Sequence, residues 1–362
     1  NVPWASPVDI TGRRSRYISE TRQTISEAGL KKSPAKLLQP GTVLMTSRAS
    51  IGFAAINTVP MTTNQGFQNL CPKDNEALSE FIYQYVIWNR PYLERMAAGS
   101  TFSEISSSNV RKLKVTLPPL IEQQKIATIL SSVDDVIEKT RAQIDKLKDL
   151  KTGMMQELLT QGIGHTEFKD SPVGRIPASW QVLTAQELLD NQTILRLKDG
   201  NHGSDYPRQS EFSEQGIPYI AASHISDLGE IDFNKCPRLP KKRADALRIP
   251  PAKSGDVIFT HNATVGRSAI IPVDRKEVIA STSTTYYRTD HKKLLNRYLF
   301  LYFQSTTFIS QVRAAMGQTT RNQVPITEQK KFNIVIPPLG EQEAISNKVE
   351  SIVDRLRVVQ TR

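Results

Sequence analysis

Two short loops carry the side chains in this chain best suited to reading the edges of nucleic-acid bases. Ser47-Arg48-Ala49-Ser50 and His261-Asn262-Ala263-Thr264 each follow an apolar run and lead to a glycine, Gly52 or Gly266. Arg presents paired donors that match guanine N7 and O6, Asn matches the edge of adenine, and Ser or Thr is permissive. Arg267 follows the second glycine directly. Asn64 in Asn64-Gln65-Gly66-Phe67 and Arg321 in Arg321-Asn322-Gln323 add polar groups at the ends of strand-like or turn segments, and His202 sits in the turn-rich run Lys198 to Gly203. The clusters Arg13-Arg14-Ser15-Arg16, Lys31-Lys32 and Lys241-Lys242-Arg243 suit phosphate positioning instead, which fixes register without carrying sequence information.

Groups for covalent or metal chemistry do not assemble in the same way. The sequence holds no GxxxxGK[ST] phosphate loop, no GxGxxG after a strand and no Asn-Pro-Pro-Tyr tetrad of an amino-methyltransferase. Five histidines, His165, His202, His224, His261 and His291, form no HxH or HExxH spacing, so no metal site is expected. Cys71 and Cys236 lie far apart and outside any ligand spacing, consistent with incidental thiols in a reducing cytoplasm. No apolar run approaches the ~18 residues of a membrane span.

The loops belong to a long internal repeat. Gly41-Thr42-Val43-Leu44-Met45-Thr46 recurs as Gly255-Asp256-Val257-Ile258-Phe259-Thr260 at an offset of 214, and Pro118-Pro119-Leu120-Ile121-Glu122-Gln123 as Pro337-Pro338-Leu339-Gly340-Glu341-Gln342 at 219. A period this long is domain-sized, not a solenoid unit. Within each copy, strand patterns at Thr42 to Met45 and Phe53 to Ile56, or Asp256 to Thr260 and Ser268 to Ile271, predict a hairpin-like unit around the variable loop. Helical patterns at Phe81 to Ala97 and Leu294 to Ala314 complete a mixed α and β domain. Copy two carries about fifty residues, Phe168 to Gln215, ahead of the segment aligned with Val2-Pro3-Trp4-Ala5; copy one has no such stretch. The natural product is therefore expected to extend further at the front, and the second helix to be cut short.

The net charge of +11 follows the repeat. Residues 1–120 and 162–340 each contribute +6, whereas 121–161 and 341–362 are nearly neutral. Two basic globular copies suit a polyanionic partner, because phosphate neutralisation with counterion release supplies much of nucleic-acid affinity.

The neutral segments read as long helices. Ile126, Leu130, Val133, Ile137, Thr140, Ile144 and Leu147 recur at alternating spacings of four and three, with Thr140 a polar break, and Ile345, Val349, Ile352 and Leu356 repeat the seam at offset 219. Each helix follows a Pro-Pro-Leu entry and carries a glutamate in its first turn, where the helix dipole favours an anion. Since the first helix leaves copy one and the second leaves copy two, they pair only if antiparallel. A helix from Ile121 to Gln161 spans roughly 60 Å at about 1.5 Å per residue and would act as a spacer and ruler.

With the repeated Pro-Pro-Leu-x-Glu-Gln, the Gly-Asp-Val-Ile strand and the phrase Phe168-Lys169-Asp170-Ser171-Pro172-Val173-Gly174-Arg175-Ile176-Pro177-Ala178-Ser179-Trp180, the chain resembles the specificity subunit of type I restriction-modification enzymes over nearly its whole length. The resemblance implies an α+β chain with two repeated mixed α/β target recognition domains, 1–120 (its front missing) and 162–340, held apart by an antiparallel pair of long coiled-coil helices, 121–161 and 341–362. It implies a non-catalytic subunit that recognises a bipartite site in double-stranded DNA and directs two methyltransferase subunits and the restriction/translocase subunits to it. S-adenosylmethionine and ATP would bind those partners, not this chain. The alternative is the DNA-recognition fragment of a fused methyltransferase-nuclease whose catalytic region lies outside these residues.

Overall fold

The computed structural model describes residues 1–73, 75–97, 104–317 and 322–360. They form two compact units, Asn1–Gln143 and Ile144–Arg362. In unit 1 the strands are β1 (Val2–Ala5), β2 (Tyr17–Ile18), β3 (Gln23–Ile25), β4 (Val43–Thr46), β5 (Ala54–Asn57), β6 (Thr62–Thr63) and β7 (Phe67–Leu70). Its helices are α1 (Pro7–Ile10), α2 (Glu27–Lys31), α3 (Ser79–Ala97), α4 (Ser107–Arg111) and the first half of α5 (Leu120–Thr160). One sheet runs β3-β1-β6 and a second β2-β5-β4-β7.

Unit 2 begins in the second half of α5. Its strands are β8 (Phe168–Lys169), β9 (Ile176–Pro177), β10 (Gln181–Thr184), β11 (Ile194–Asp199), β12 (Ile217–Ile220), β13 (Arg238–Leu239), β14 (Ala252–Lys253), β15 (Val257–Thr260), β16 (Ser268–Ile270), β17 (Glu277–Ala280), β18 (Thr284–Thr289) and β19 (Asn333–Ile336). Its helices are α6 (Ala185–Asp190), α7 (Lys241–Asp245), α8 (Asn296–Phe303), α9 (Thr306–Met316), α10 (Ile326–Gln329) and α11 (Leu339–Gln360). The sheets are β11-β18-β15-β16 and β13-β12-β17-β14, with β10 paired to β19 and β8 to β9.

The central hairpin is the same object twice. β4 pairs antiparallel with β5 as Val43 with Ile56, and β15 with β16 as Val257 with Ile270. Both central strands are buried on both faces, which is why they read as unbroken apolar runs. Alternate side chains go to opposite faces: Val43 and Met45 pack with Val86 and Leu93 of α3, while Leu44 joins Ala5 and Ile18. In unit 2, Val257 and Phe259 pack with Leu299 and Phe303, and Ile258 with Ile220 and Ala269. The helical pattern Leu294 to Ala314 is two helices, α8 and α9, because the Ser305 hydroxyl accepts from Phe308 N and starts a new helix.

Gln123 and Gln342 explain the Pro-Pro-Leu-x-Glu-Gln motif. Both are fully buried. Gln123 accepts from Leu78 N at 3.0 Å and donates to the carbonyls of Glu76 and Pro118. Gln342 accepts from Leu295 N at 2.9 Å and donates to those of Lys293 and Pro337. Each amide thus satisfies three backbone groups where the long helix, its proline entry and the domain helix meet, groups that burial would otherwise leave costly.

Within unit 2 the second half of α5 and α11 lie antiparallel. Glu341, in the first turn of α11, accepts from Ile163 N just beyond the end of α5, while Lys148 and Lys151 border the same small cavity as Leu356 and Arg357. Ile345, Val349, Ile352 and Leu356 are buried; Ile345 and Val349 join Met155, Leu158 and Trp180 in the domain core. Ile144 and Leu147 are half-buried, as is Ile126, but Leu130, Val133 and Ile137 are exposed. The helix contact therefore occupies part of the expected seam, since α11 has 22 residues against the 41 of α5.

Candidate nucleic-acid interface

The variable loops share one backbone. Ala49 and Ala263 take positive φ of 59° and 63°, and Gly52 and Gly266 follow at 76° and 99°. Gly52 N donates to Thr46 O and Gly266 N to Thr260 O, both at 3.0 Å. The threonine hydroxyls accept from Phe53 N at 3.1 Å and Arg267 N at 2.9 Å. A second segment ties each loop from outside: Ile105 N donates to Ser47 O at 3.0 Å and Val324 N to His261 O at 2.8 Å. Glycine is required at position 52 twice over, by its φ and because a Cβ there would come within 2.9 Å of the Arg90 side chain. Backbone and threonine hold the loop, so the outward side chains are free to differ.

Those side chains do differ. Arg48 is exposed and bridges to Glu104 at 2.8 Å, and Asn262 is half-buried with its Oδ1 on Ala263 N at 2.8 Å. One position earlier both copies point inward. Ser47 is fully buried and His261 nearly so, with Ser47 Oγ and His261 Nε2 lacking partners among the described residues. Burial pushes the His261 imidazole down to about 4, against the opposing pull of Asp199. It is neutral at physiological pH and does not act as a phosphate cation.

Other chain segments reach the same end of each sheet. In unit 1, Gly66 O accepts from Ser47 N at 2.8 Å, and Asn64 Oδ1 shapes that turn by accepting from Gly66 N at 2.9 Å. In unit 2, Ser283 O accepts from His261 N at 3.0 Å, Gln323 bridges to Asn262, and exposed His202 lies 3.2 Å from Asp199. Arg321 lies outside the described residues.

The remaining cations divide into tied and open groups. Arg16 is one-sixth exposed and holds Asp135 of α5 at 2.6 Å, which raises its pKa above the ordinary guanidinium value; it is a structural clamp. Arg243 bonds Glu211 at 2.6 Å, and Arg267 bonds Asp227 at 2.6 Å and the Ile225 carbonyl at 2.7 Å. Lys241 bridges Asp245 at 2.8 Å and Glu277 at 3.0 Å. Arg13 is exposed and donates to Tyr17 O, and Arg14 is exposed beside it. Lys31, Lys32 and Lys242 are exposed with no carboxylate partner among the described residues.

Sequence reasoning missed the partners of a half-buried carboxylate beside the helix pair. Glu341 accepts from Ile163 N at 2.9 Å, His165 Nε2 at 2.8 Å and Trp180 Nε1 at 2.9 Å. The glutamate was legible as a first-turn anion, but its partners lie 161 to 178 residues away.

The two units thus carry like loops with unlike tips at equivalent places in the repeat. The match to known families is specific: residues 1–149 and 202–361 fit the type I restriction modification DNA specificity domain, and the chain belongs to that family, the non-catalytic component of type I restriction-modification enzymes. It is 28% identical over 375 residues to the MjaIX specificity subunit of Methanocaldococcus jannaschii, covering 98% of this chain and 80% of that one. It is 20% identical over 305 residues to the EcoBI specificity subunit of Escherichia coli, covering 81% and 62%. The MjaVIII subunit of M. jannaschii is matched over 61% of its length. The fold resembles the crystal structure of the type I S subunit from M. genitalium, with a TM-score of 0.60 at 13% identity over 99% of this chain and 87% of that one. Family membership implies recognition of a DNA target. No helix among the described residues is long and apolar enough to cross a membrane.

Proposed function

We propose that each unit reads one half of a bipartite site in double-stranded DNA through the end of its central sheet, with Arg48 in one half and Asn262 beside Gln323 in the other among the groups facing base edges. The observation that carries this reading is the shared loop backbone with divergent tips, since a fixed scaffold with exchangeable side chains is how one fold serves different sequences. Arg13, Arg14, Lys31, Lys32 and Lys242 supply sequence-independent phosphate contacts. The helices α5 and α11 hold the domains apart and dock two methyltransferase subunits, with the restriction subunits joining that assembly. S-adenosylmethionine and ATP bind those partners rather than this chain.

Methylome sequencing of cells carrying the intact system tests this directly. The expected result is a bipartite methylated motif of which Arg48→Ala alters one half and Asn262→Ala the other. A continuous motif, or one that both substitutions alter at the same bases, overturns the reading.

A further inference from the structure

In each unit a second chain segment crosses the variable loop, and the two segments are fastened differently underneath. In unit 1, Ile105 N donates to Ser47 O, and Val110, five residues on, packs against the apolar core that holds Met45 and Ile105. In unit 2, Val324 N donates to His261 O, and the residue five further on is Gln329. Val324 and Gln329 are both fully buried. The strand behind the segment differs to match: Leu70 lies opposite Val43 in unit 1, and Tyr287 opposite Val257 in unit 2. An apolar fastening in one copy is thus a polar one in the other.

Gln329 directs its whole amide at this junction. Its Nε2 donates to Val324 O and to Thr285 Oγ1, both at 3.0 Å, and its Oε1 accepts from the Tyr287 hydroxyl at 2.9 Å. The Val324 carbonyl can only accept, so the amide nitrogen faces it and the oxygen faces Tyr287. Burial pushes the Tyr287 hydroxyl far above its ordinary range, which preserves the proton it donates. Val324 is therefore gripped on both sides, by the loop at its N–H and by Gln329 at its C=O. Apolar packing sets how close two segments lie and tolerates small slides along the contact. Hydrogen bonds confined to about 2.7–3.2 Å and a narrow angle fix the position along the contact as well. The two tips differ in the same sense. The bridge between Arg48 and Glu104 carries an ion pair, whereas the bridge between Asn262 and Gln323 joins residues with neutral amides.

We propose that Gln329 is a positioning residue for base discrimination by unit 2: too deeply buried to touch DNA, it holds the segment that carries Gln323 in register with Asn262. The inference rests on the reading that this tip faces base edges, and adds the buried group that keeps the tip accurate. Recognition groups have to be held within about 0.5 Å of their productive geometry by neighbours whose own bonds are locked. The path here is one residue long at each step. Thr285 and Tyr287 belong to β18, an interior strand of its sheet, and Ser283 just ahead of that strand accepts from His261 N at 3.0 Å. One stretch of chain, 283–287, thus places the loop directly and, through Gln329, the segment that crosses it.

The test compares the full chain in its assembled enzyme with Gln329→Leu, Asn262→Ala and the double variant Gln329→Leu/Tyr287→Phe, which also removes the hydroxyl that the first substitution strands. Binding to DNA with each half-site permuted base by base is read beside backbone hydrogen exchange and melting. Loss of Gln329 is expected to speed exchange at Val324 roughly tenfold or more while 257–260 stay slow. Discrimination at one half-site should fall roughly fivefold or more, with the other half unchanged. The double variant should regain stability without regaining discrimination, whereas a merely structural role would return both together. Discrimination that recovers with the melting temperature, a loss equal for all sequences, or unchanged exchange at Val324 overturns the proposal. Asn262→Ala separates the two levels of the argument. Normal discrimination in that variant sinks the reading of the tip and this proposal with it; a loss there with none in the double variant sinks this proposal alone.

Discussion

The Arg48 guanidinium lies 2.8 Å from the Glu104 carboxylate, across the same backbone bridge that joins Asn262 to Gln323 in the other unit. An exposed pair of this kind contributes about 0–1 kcal/mol to stability, so its loss is not expected to unfold the domain. If Arg48 reads guanine it exchanges one acceptor for two. Arg48→Ala should then leave the melting temperature unchanged and cost about 1–3 kcal/mol at one half-site. Glu104→Ala should strengthen binding to all sequences by removing a negative charge beside the loop. Competition binding with permuted half-sites checks both, and a uniform loss on Arg48→Ala would assign the residue to phosphate.

The basic clusters should separate by whether they are already tied. Reversing Lys31, Lys32 and Lys242 to glutamate should weaken every DNA sequence alike and lower the salt slope by about one per lost contact, with thermal stability retained. Reversing Lys241 and Arg243 removes the partners of Asp245, Glu277 and Glu211 and should also lower stability. Binding titrations across salt, read with melting curves, distinguish the two groups.

Acid should loosen unit 2 through its buried imidazole. His261 is depressed to about 4 in the folded chain and titrates near 6.5 when unfolded. Between those values the unfolded state binds more protons, so this contribution is complete above pH ~6.5 and is lost as pH falls towards ~4, by a few kcal/mol at most. His224, also depressed by burial, acts in the same direction. His261→Gln should flatten the fall of melting temperature between pH ~7 and ~4.5; an unchanged slope would show that the imidazole is not its source.

Glu341 and Glu122 occupy one motif position in two environments. Glu341→Ala strands the Trp180 and His165 donors and the Ile163 amide and should destabilise unit 2 by about 1.5–3 kcal/mol, the range for hydrogen bonds to a charged group. Glu122→Ala in residues 1–362 should change stability by less than about 0.5 kcal/mol. Denaturant unfolding of the two variants gives the comparison.

Lengthening α5 tests its part in spacing the half-sites. Lys151 is a poor place for an insertion because it is held beside Arg357 and bonds Gln304 at 3.2 Å. Four residues added after Gln143 extend the helix by about 6 Å. The methylated motif should keep both halves and lengthen its unread spacer by about one or two base pairs, given ~3.4 Å per step. A folded, active variant that methylates the original spacing would remove the ruler and leave the helix as a docking element.

The sequence alone determined what depends on local pattern. The doubled Gly-x-Val-x strand and the Pro-Pro-Leu-x-Glu-Gln entry set the repeat, the hairpins, the long helices and the family, because strand period, proline entry and positive-φ glycine are written in neighbouring residues. Tertiary structure decided which polar groups remain free. Arg16, Arg243 and Arg267 look in sequence like Lys31 and Lys242, yet Asp135, Glu211 and Asp227 neutralise them from 32 to 119 residues away. Position 261 looked like a surface reader and is a buried neutral imidazole. The seam shows the same limit for apolar groups: Val349 is buried and Leu130, its counterpart, is 42% exposed. Heptad spacing specifies a face, but whether that face meets water depends on what the rest of the chain lays across it.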